Sequence, residues 1–132
     1  MVSQEHKERL LKLAREVQNN AYAPYSNFRV GAAVLLENGE VFAGCNVENA
    51  SYGLTNCAER SAIFAAVSKL GAARVKILAV AVVNDHDAPC SPCGACRQVI
   101  AEFGSEAVLW YQGQNGIQES TLRHLLPDSF RL

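Results

Sequence analysis

Val75-Lys-Ile-Leu-Ala-Val-Ala-Val-Val83 is a β-branched, almost unbroken apolar run, followed by the polar stretch Asn84 to Pro92 and then by Cys93-Gly-Ala-Cys-Arg-Gln-Val-Ile-Ala-Glu-Phe103. A strand that is apolar at odd and even positions alike is covered on both faces, as in a sheet held between helices. Cys93 to Phe103 has helical spacing and stops at Gly104, so the unit reads strand, loop, helix, the building block of an α/β architecture.

Upstream, Cys57 to Leu70 carries Ala58, Ala62, Ile63, Ala65, Ala66 and Leu70, with Gly71 as the stop, which predicts a second helix starting at or just after Cys57. Phe28 to Leu36 and Val41 to Asn46 flank Glu37-Asn38-Gly39-Glu40, which predicts a β-hairpin closed by a tight primed turn. From Ser3 onward, Leu10, Leu13, Ala14 and Val17 recur at helical spacing, giving an amphipathic first helix ending near Asn19 and Asn20. Downstream, Ala107 to Gln112 repeats the strand signal, Asn115-Gly116 marks a turn, and Ser120 is placed to cap a short helix through Leu126. The order α-β-β-α-β-α-β and a short helix predicts a three-layer α/β/α sandwich on a mixed sheet, with residues 1–132 as one domain.

Composition narrows the function. Among 132 residues, 49% are hydrophobic, which excludes a disordered or low-complexity chain. The longest apolar runs fall well short of the roughly 20 residues needed to cross a bilayer, and charged residues at Met1 to Leu13 leave no signal-peptide core, so a cytoplasmic protein without membrane association is expected. Twelve Lys and Arg against 13 Asp and Glu argue against a broad electrostatic footprint for nucleic acid. Five cysteines, an odd number in a reducing compartment, direct attention to thiol chemistry or metal binding instead of disulfides.

Cys93 and Cys96 stand at i and i+3 on the opening turn of the third helix, with Pro92 just before it. Alone, Cys-x-x-Cys is open to three readings: zinc ligation, a redox pair, or chance. Cys57 offers a third thiol at another helix start, and helices that follow adjacent strands of one sheet present their amino termini to the same edge. Three protein ligands leave one position of a tetrahedral zinc open for water, the pattern of a catalytic site. Glu59 is then placed to move protons, although an acidic residue in a first helical turn also has an ordinary stabilising role. Three thiolates carry more charge than zinc neutralises, and the helix amino termini together with Arg60 can offset the excess.

At this point the chain resembles the cytidine deaminase family, in particular its small homo-oligomeric nucleoside enzymes with three-cysteine zinc. The motifs are Cys57-Ala58-Glu59-Arg60 and Pro92-Cys93-Gly94-Ala95-Cys96-Arg97-Gln98, matching the x-Glu and Pro-Cys-x-x-Cys signature of zinc deaminases with cysteine as first ligand. The resemblance continues through Tyr25-Ser-Asn-Phe-Arg-Val-Gly-Ala-Ala33, Gly44-Cys-Asn-Val-Glu-Asn-Ala-Ser-Tyr52 and Leu125-Leu-Pro-Asp-Ser-Phe130, so it covers essentially the whole chain. It implies a central five-stranded sheet, one Zn2+ per subunit on Cys57, Cys93 and Cys96, and Glu59 as the catalytic proton carrier. It further implies hydrolytic deamination of cytidine and 2′-deoxycytidine in pyrimidine salvage. Asn46 and Glu48 resemble the family's ribose ligands and Phe28 its aromatic pocket wall; Ala58 and Tyr52 are implied to join the substrate site. Phe130 resembles the carboxy-terminal aromatic that reaches a neighbouring subunit, so a homotetramer with shared active sites is expected.

Other residues are set aside. Pro92 and the constrained Ser91 give Cys90 an extended approach that does not favour ligation; Cys45 reads as a packed thiol, and His6 and His124 as solvated helix residues. His86 is the histidine nearest the cysteine loop and is the candidate fourth ligand of a closed structural zinc site. The zinc core is shared by deaminases of polynucleotides and of a cytosine-containing antibiotic. Net charge argues against the first, and Asn46, Glu48 and Arg60 favour the nucleoside enzyme over the second.

Overall fold

The computed structural model describes residues 2–132. Its elements in chain order are α1 (Gln4–Gln18), β1 (Val30–Leu36), β2 (Val41–Cys45), α2 (Ala58–Leu70), β3 (Ile77–Asn84), α3 (Gly94–Phe103), β4 (Val108–Gly113), β5 (Gly116–Thr121) and α4 (Leu122–Leu125). The strands form one sheet in the order β2-β1-β3-β4-β5. β1 runs antiparallel to both β2 and β3, β3 is parallel to β4, and β4 and β5 are antiparallel, so the sheet is mixed.

Both faces of this sheet are covered, which explains the continuous apolar runs of its central strands. Every residue of β1 is buried. Ala33 and Leu35 of β1 and Ala79, Ala81 and Val83 of β3 pack with Leu10 and Ala14 of α1. The alternate residues Ala32, Val34, Val80 and Val82 pack with Ala62, Ile63 and Ala66 of α2 and Ile100 of α3. The three-layer α/β/α sandwich is therefore observed.

Four local expectations change. The β1–β2 turn is not primed: Gly39 alone takes positive φ (+89°), whereas a type I′ turn needs it at both central residues. β5 escaped the residue pattern because it is a half-exposed edge strand without a β-branched run; only the resemblance implied it. The cap of α4 is Thr121, whose Oγ1 accepts the His124 N–H, and not Ser120. His6 is more than a solvated residue: its Nδ1 accepts the Ser3 N–H while Ser3 Oγ accepts the His6 N–H, a reciprocal cap on α1.

The topology sets up the site. β2 and β3, which precede α2 and α3, are not adjacent as expected, because β1 lies between them. Antiparallel pairing on each side of β1 leaves β2 and β3 pointing the same way, so both helices still begin at one edge of the sheet. Gly44 allows α2 to approach: a Cβ there would fall 2.4 Å from Ala62 N and 2.8 Å from Ala58 O.

Candidate active site

Cys57 and Cys93 are the N-cap residues of α2 and α3, each in extended backbone, and neither makes the side-chain cap that Ser or Asp normally supplies. The first-turn N–H groups of both helices are thus left to face an anion, with the positive ends of two helix dipoles behind them. Cys96, fully buried, completes the cluster from within the first turn of α3. The three Sγ atoms lie within 4.8 Å of one another, and Cys57 and Cys93 are 3.9 Å apart.

That spacing matches a metal. Sulfurs bound tetrahedrally to zinc at about 2.3 Å stand about 3.8 Å apart. Arg60 Nη2 donates to Cys57 Sγ at 3.2 Å, and Arg60 Nε is buried without a partner of its own, so a cation is invested in a cluster that gains from being anionic. The Cys57 thiol is held down to about 5, first by a hydrogen bond from Cys96 and then by Arg60, while Cys96 is pushed up. The donor set suits zinc with one position left for water. Neither His86 nor Cys90 belongs to this cluster, so the closed four-ligand site is not formed.

Glu59 is the second residue of α2 and is 5% exposed. Burial, helped by the charge on Cys57, pushes its carboxyl up to about 7. A carboxyl that gains and loses a proton near neutrality is suited to proton transfer at working pH.

A cavity of about 430 Å³ opens onto the cluster. Cys57, Ala58 and Glu59 line it from the start of α2, Phe28, Asn46 and Glu48 from the segments flanking the hairpin, and Cys90, Ser91 and Cys93 from the β3–α3 loop. Its size is within the range of small-molecule sites. Asn46 is 8% exposed; its Oδ1 accepts the Val30 N–H at 2.9 Å and its Nδ2 donates to Phe28 O at 2.8 Å, leaving one lone pair and one proton free. Glu48 Oε1 accepts the N–H groups of Tyr25 and Ser26 at 2.9 and 3.1 Å, and its Oε2 accepts from Ser26 Oγ. Those bonds, the Ser26 hydroxyl foremost, hold the Glu48 carboxyl below its usual range.

Two expected substrate contacts are not brought to this cavity. Tyr52, 75% exposed, lines an adjoining groove with Tyr25, Glu48 and Thr55, its ring edge-on to Tyr25. Phe130, 68% exposed, lies against α3 beside Ala101 and Glu102, where Gln98 Nε2 donates to its carbonyl. Sequence reasoning overlooked Arg97, whose guanidinium donates to Pro92 O, Leu125 O and Ser91 Oγ at 2.7 to 3.0 Å and so clamps the loop that carries Cys93. The signal was its place directly after Cys96. Cys90 and Ser91 were also missed as lining residues, although they directly precede Pro92.

Residues 4–112 match the family described as "Cytidine and deoxycytidylate deaminase zinc-binding region". The chain belongs to this family. The cytidine deaminase of Halalkalibacterium halodurans is 50% identical over 126 residues, covering 94% of this chain and 93% of that one. The cytidine deaminase of Mycobacterium tuberculosis is 45% identical over 119 residues, covering 90% and 85%. The crystal structure of cytidine deaminase from Burkholderia pseudomallei superposes with a TM-score of 0.84 at 44% identity, over 98% of this chain and all of that one. Membership in the deaminase family therefore holds for sequence and fold together.

Proposed function

We infer that this protein is a zinc-dependent cytidine deaminase, converting cytidine and water to uridine and ammonia. The observation that carries this reading is a buried, near-neutral Glu59 beside three clustered thiols at the floor of a cavity, in a chain of the deaminase family. Cys57, Cys93 and Cys96 hold the zinc ion, which when bound supplies Lewis acidity that makes water a nucleophile near neutral pH.

The remaining chemistry belongs to the chain. Glu59, as carboxylate, takes a proton from the attacking water and delivers it to ring N3, which makes C4 electrophilic. It then carries the hydroxyl proton to the amino nitrogen, so that the C4–N bond breaks and ammonia leaves. Phe28 presents an aromatic face to the pyrimidine. Asn46, with its free lone pair and proton, and Glu48, fixed by Tyr25 and Ser26, receive the ribose hydroxyls. Ala58 contributes its first-turn N–H to the base. Arg60 tempers the thiolate charge.

We extend the reading to 2′-deoxycytidine as a second substrate, to one catalytic domain spanning the chain, and to a cytoplasmic setting, which suits five free cysteines. Among the described residues no helix is long and apolar enough to cross a membrane. A homotetramer completes the account: Tyr52, Leu54, Phe64 and Phe130 are 75, 70, 49 and 68% exposed, apolar surface of the kind that subunits bury. Phe130 and Tyr52 then serve a neighbour's cavity. Zinc-loaded protein offered cytidine, deoxycytidine and a cytosine-containing single-stranded oligonucleotide separately should release ammonia from the two nucleosides only. Release from the oligonucleotide alone would refute a nucleoside enzyme, and light scattering at the mass of one chain from fully active protein would refute the shared site.

A further inference from the structure

Phe28 belongs to the cavity wall, yet it hangs from the irregular segment between α1 and β1. Its ring packs partly against the core, its N–H donates to Ser26 Oγ and its carbonyl accepts from Asn46 Nδ2, and the loop after β3 adds a further support on the ring itself. Its backbone neighbours are tied to the β3–α3 loop on both sides. Arg29 N–H donates to Asp85 Oδ1 at 3.0 Å, Asp85 N–H donates back to Arg29 O at 3.1 Å, and His86 Nε2 stands 2.8 Å from Asn27 O. A carbonyl only accepts, so Nε2 of His86 carries the proton in this bond. Asn27 itself occupies the left-handed region (φ +56°), which makes its fixation more than incidental.

His86 also touches the ring. The two centroids are 5.3 Å apart with the planes inclined by 26°, an offset stack, and His86 is not among the residues that line the cavity. The loop that presents it is referenced to the core: Asn84, 2% exposed at the end of β3, accepts the N–H groups of His86 and Ala88 and donates to Ala88 O.

We propose that His86 is a positioning residue of the nucleoside pocket, its imidazole backing the Phe28 ring from outside the cavity and fixing the face against which a pyrimidine stacks. This rests on the deaminase reading of the cavity and adds to it a residue that touches neither metal nor substrate. Because a stacking surface acts on the bound base in ground state and transition state alike, its loss falls on KM and spares kcat.

The test compares His86→Ala, His86→Phe and His86→Gln as zinc-loaded protein, with KM and kcat for cytidine, Kd for uridine, zinc content and thermal midpoint measured for each. His86→Ala should raise KM and Kd together by about 2- to 10-fold, the range of an aromatic stack, with kcat within about twofold and zinc unchanged. His86→Phe, which restores a ring, should recover most of the loss, and His86→Gln, which restores only a donor to Asn27 O, should not. Unchanged KM in His86→Ala would overturn the proposal. So would loss of zinc in step with KM, which marks a structural role, or rescue by Gln and not by Phe. Unsubstituted protein that turns over no cytidine would instead remove the deaminase reading beneath it, an outcome visible before any variant is made.

Discussion

Replacing Glu59 by Gln should move activity and stability in opposite directions. Glu59 is 5% exposed, and its carboxyl is raised from 4.5 to about 7, chiefly by burial. At about 1.4 kcal/mol for each tenfold in affinity for the proton, that gap comes to about 3 kcal/mol. A raised carboxyl binds its proton more tightly folded than unfolded. Its contribution is therefore full below 4.5 and is lost as pH rises through about 7, where the native fold must hold a buried charge. Gln has the same shape and no charge at any pH. Zinc-stripped Glu59→Gln should equal the unsubstituted protein at about pH 4 and exceed it by up to about 3 kcal/mol at about pH 8, read from urea unfolding. Zinc-loaded, the same variant should lose at least about 10²-fold in kcat, because one carboxylate serves every proton transfer. A variant less stable than its parent at the higher pH would rule out the buried charge, and one within about threefold of parental kcat while folded and metal-loaded would rule out Glu59 as the proton carrier.

Other perturbations have equally definite outcomes. Cys57→Ala should leave less than about a tenth of an equivalent of zinc by elemental analysis, since two thiols hold the ion poorly where three converge. Gly44→Ala places a methyl 2.4 Å from Ala62 N, so α2 must retreat from β2; a loss of at least about 2 kcal/mol in unfolding free energy is expected, with kcat reduced because Cys57 and Glu59 begin that helix. Glu48→Gln keeps one oxygen to accept from the Tyr25 and Ser26 N–H groups but replaces the oxygen that accepts from Ser26 Oγ, and the negative charge, with an NH2 that only donates; it should raise KM for cytidine while shifting the thermal midpoint little. Leu10→Ala empties a fully buried site between α1 and the sheet and should cost about 2–5 kcal/mol without changing KM, separating the structural face from the catalytic one.

The legible parts of this chain are those where one local signal has one physical cause. Val75 to Val83 reads as a doubly covered strand because both its faces are apolar, and the three cysteines read as a ligand set because two thiols one helical turn apart and a third at another helix start can converge on one ion. Cys57, Cys93, Cys96 and Glu59 are legible only in combination, since a Cys-x-x-Cys pair and a first-turn Glu each have ordinary readings alone; the structure does bring the three thiols together. What stayed hidden depends on long-range geometry. Strand β5 owes its place to pairing with β4, so its polar sequence carries no alternation, and the β1 insertion between β2 and β3 follows from chain reversal in the hairpin, which spacing alone does not order. His86 is set aside in the sequence as a possible fourth ligand with no other role, whereas the loop turns it toward Phe28, 58 residues earlier in the chain, a contact no local pattern announces. Tyr52 and Phe130 carry the family motif yet do not line the cavity beside the three thiols: Tyr52 lines the adjoining groove and Phe130 lies beside α3, placements that follow from loop and chain-end geometry and leave no local pattern in the sequence.

Whether three thiolates and one carboxyl make this cavity a deaminase is decided by following the ultraviolet band of cytidine with zinc-loaded protein, chelator-stripped protein and stripped protein given zinc back. Conversion to uridine with one ammonia per nucleoside is expected in the first and third, and none in the second. Stoichiometric zinc on Cys57, Cys93 and Cys96 with cytidine left intact would contradict it.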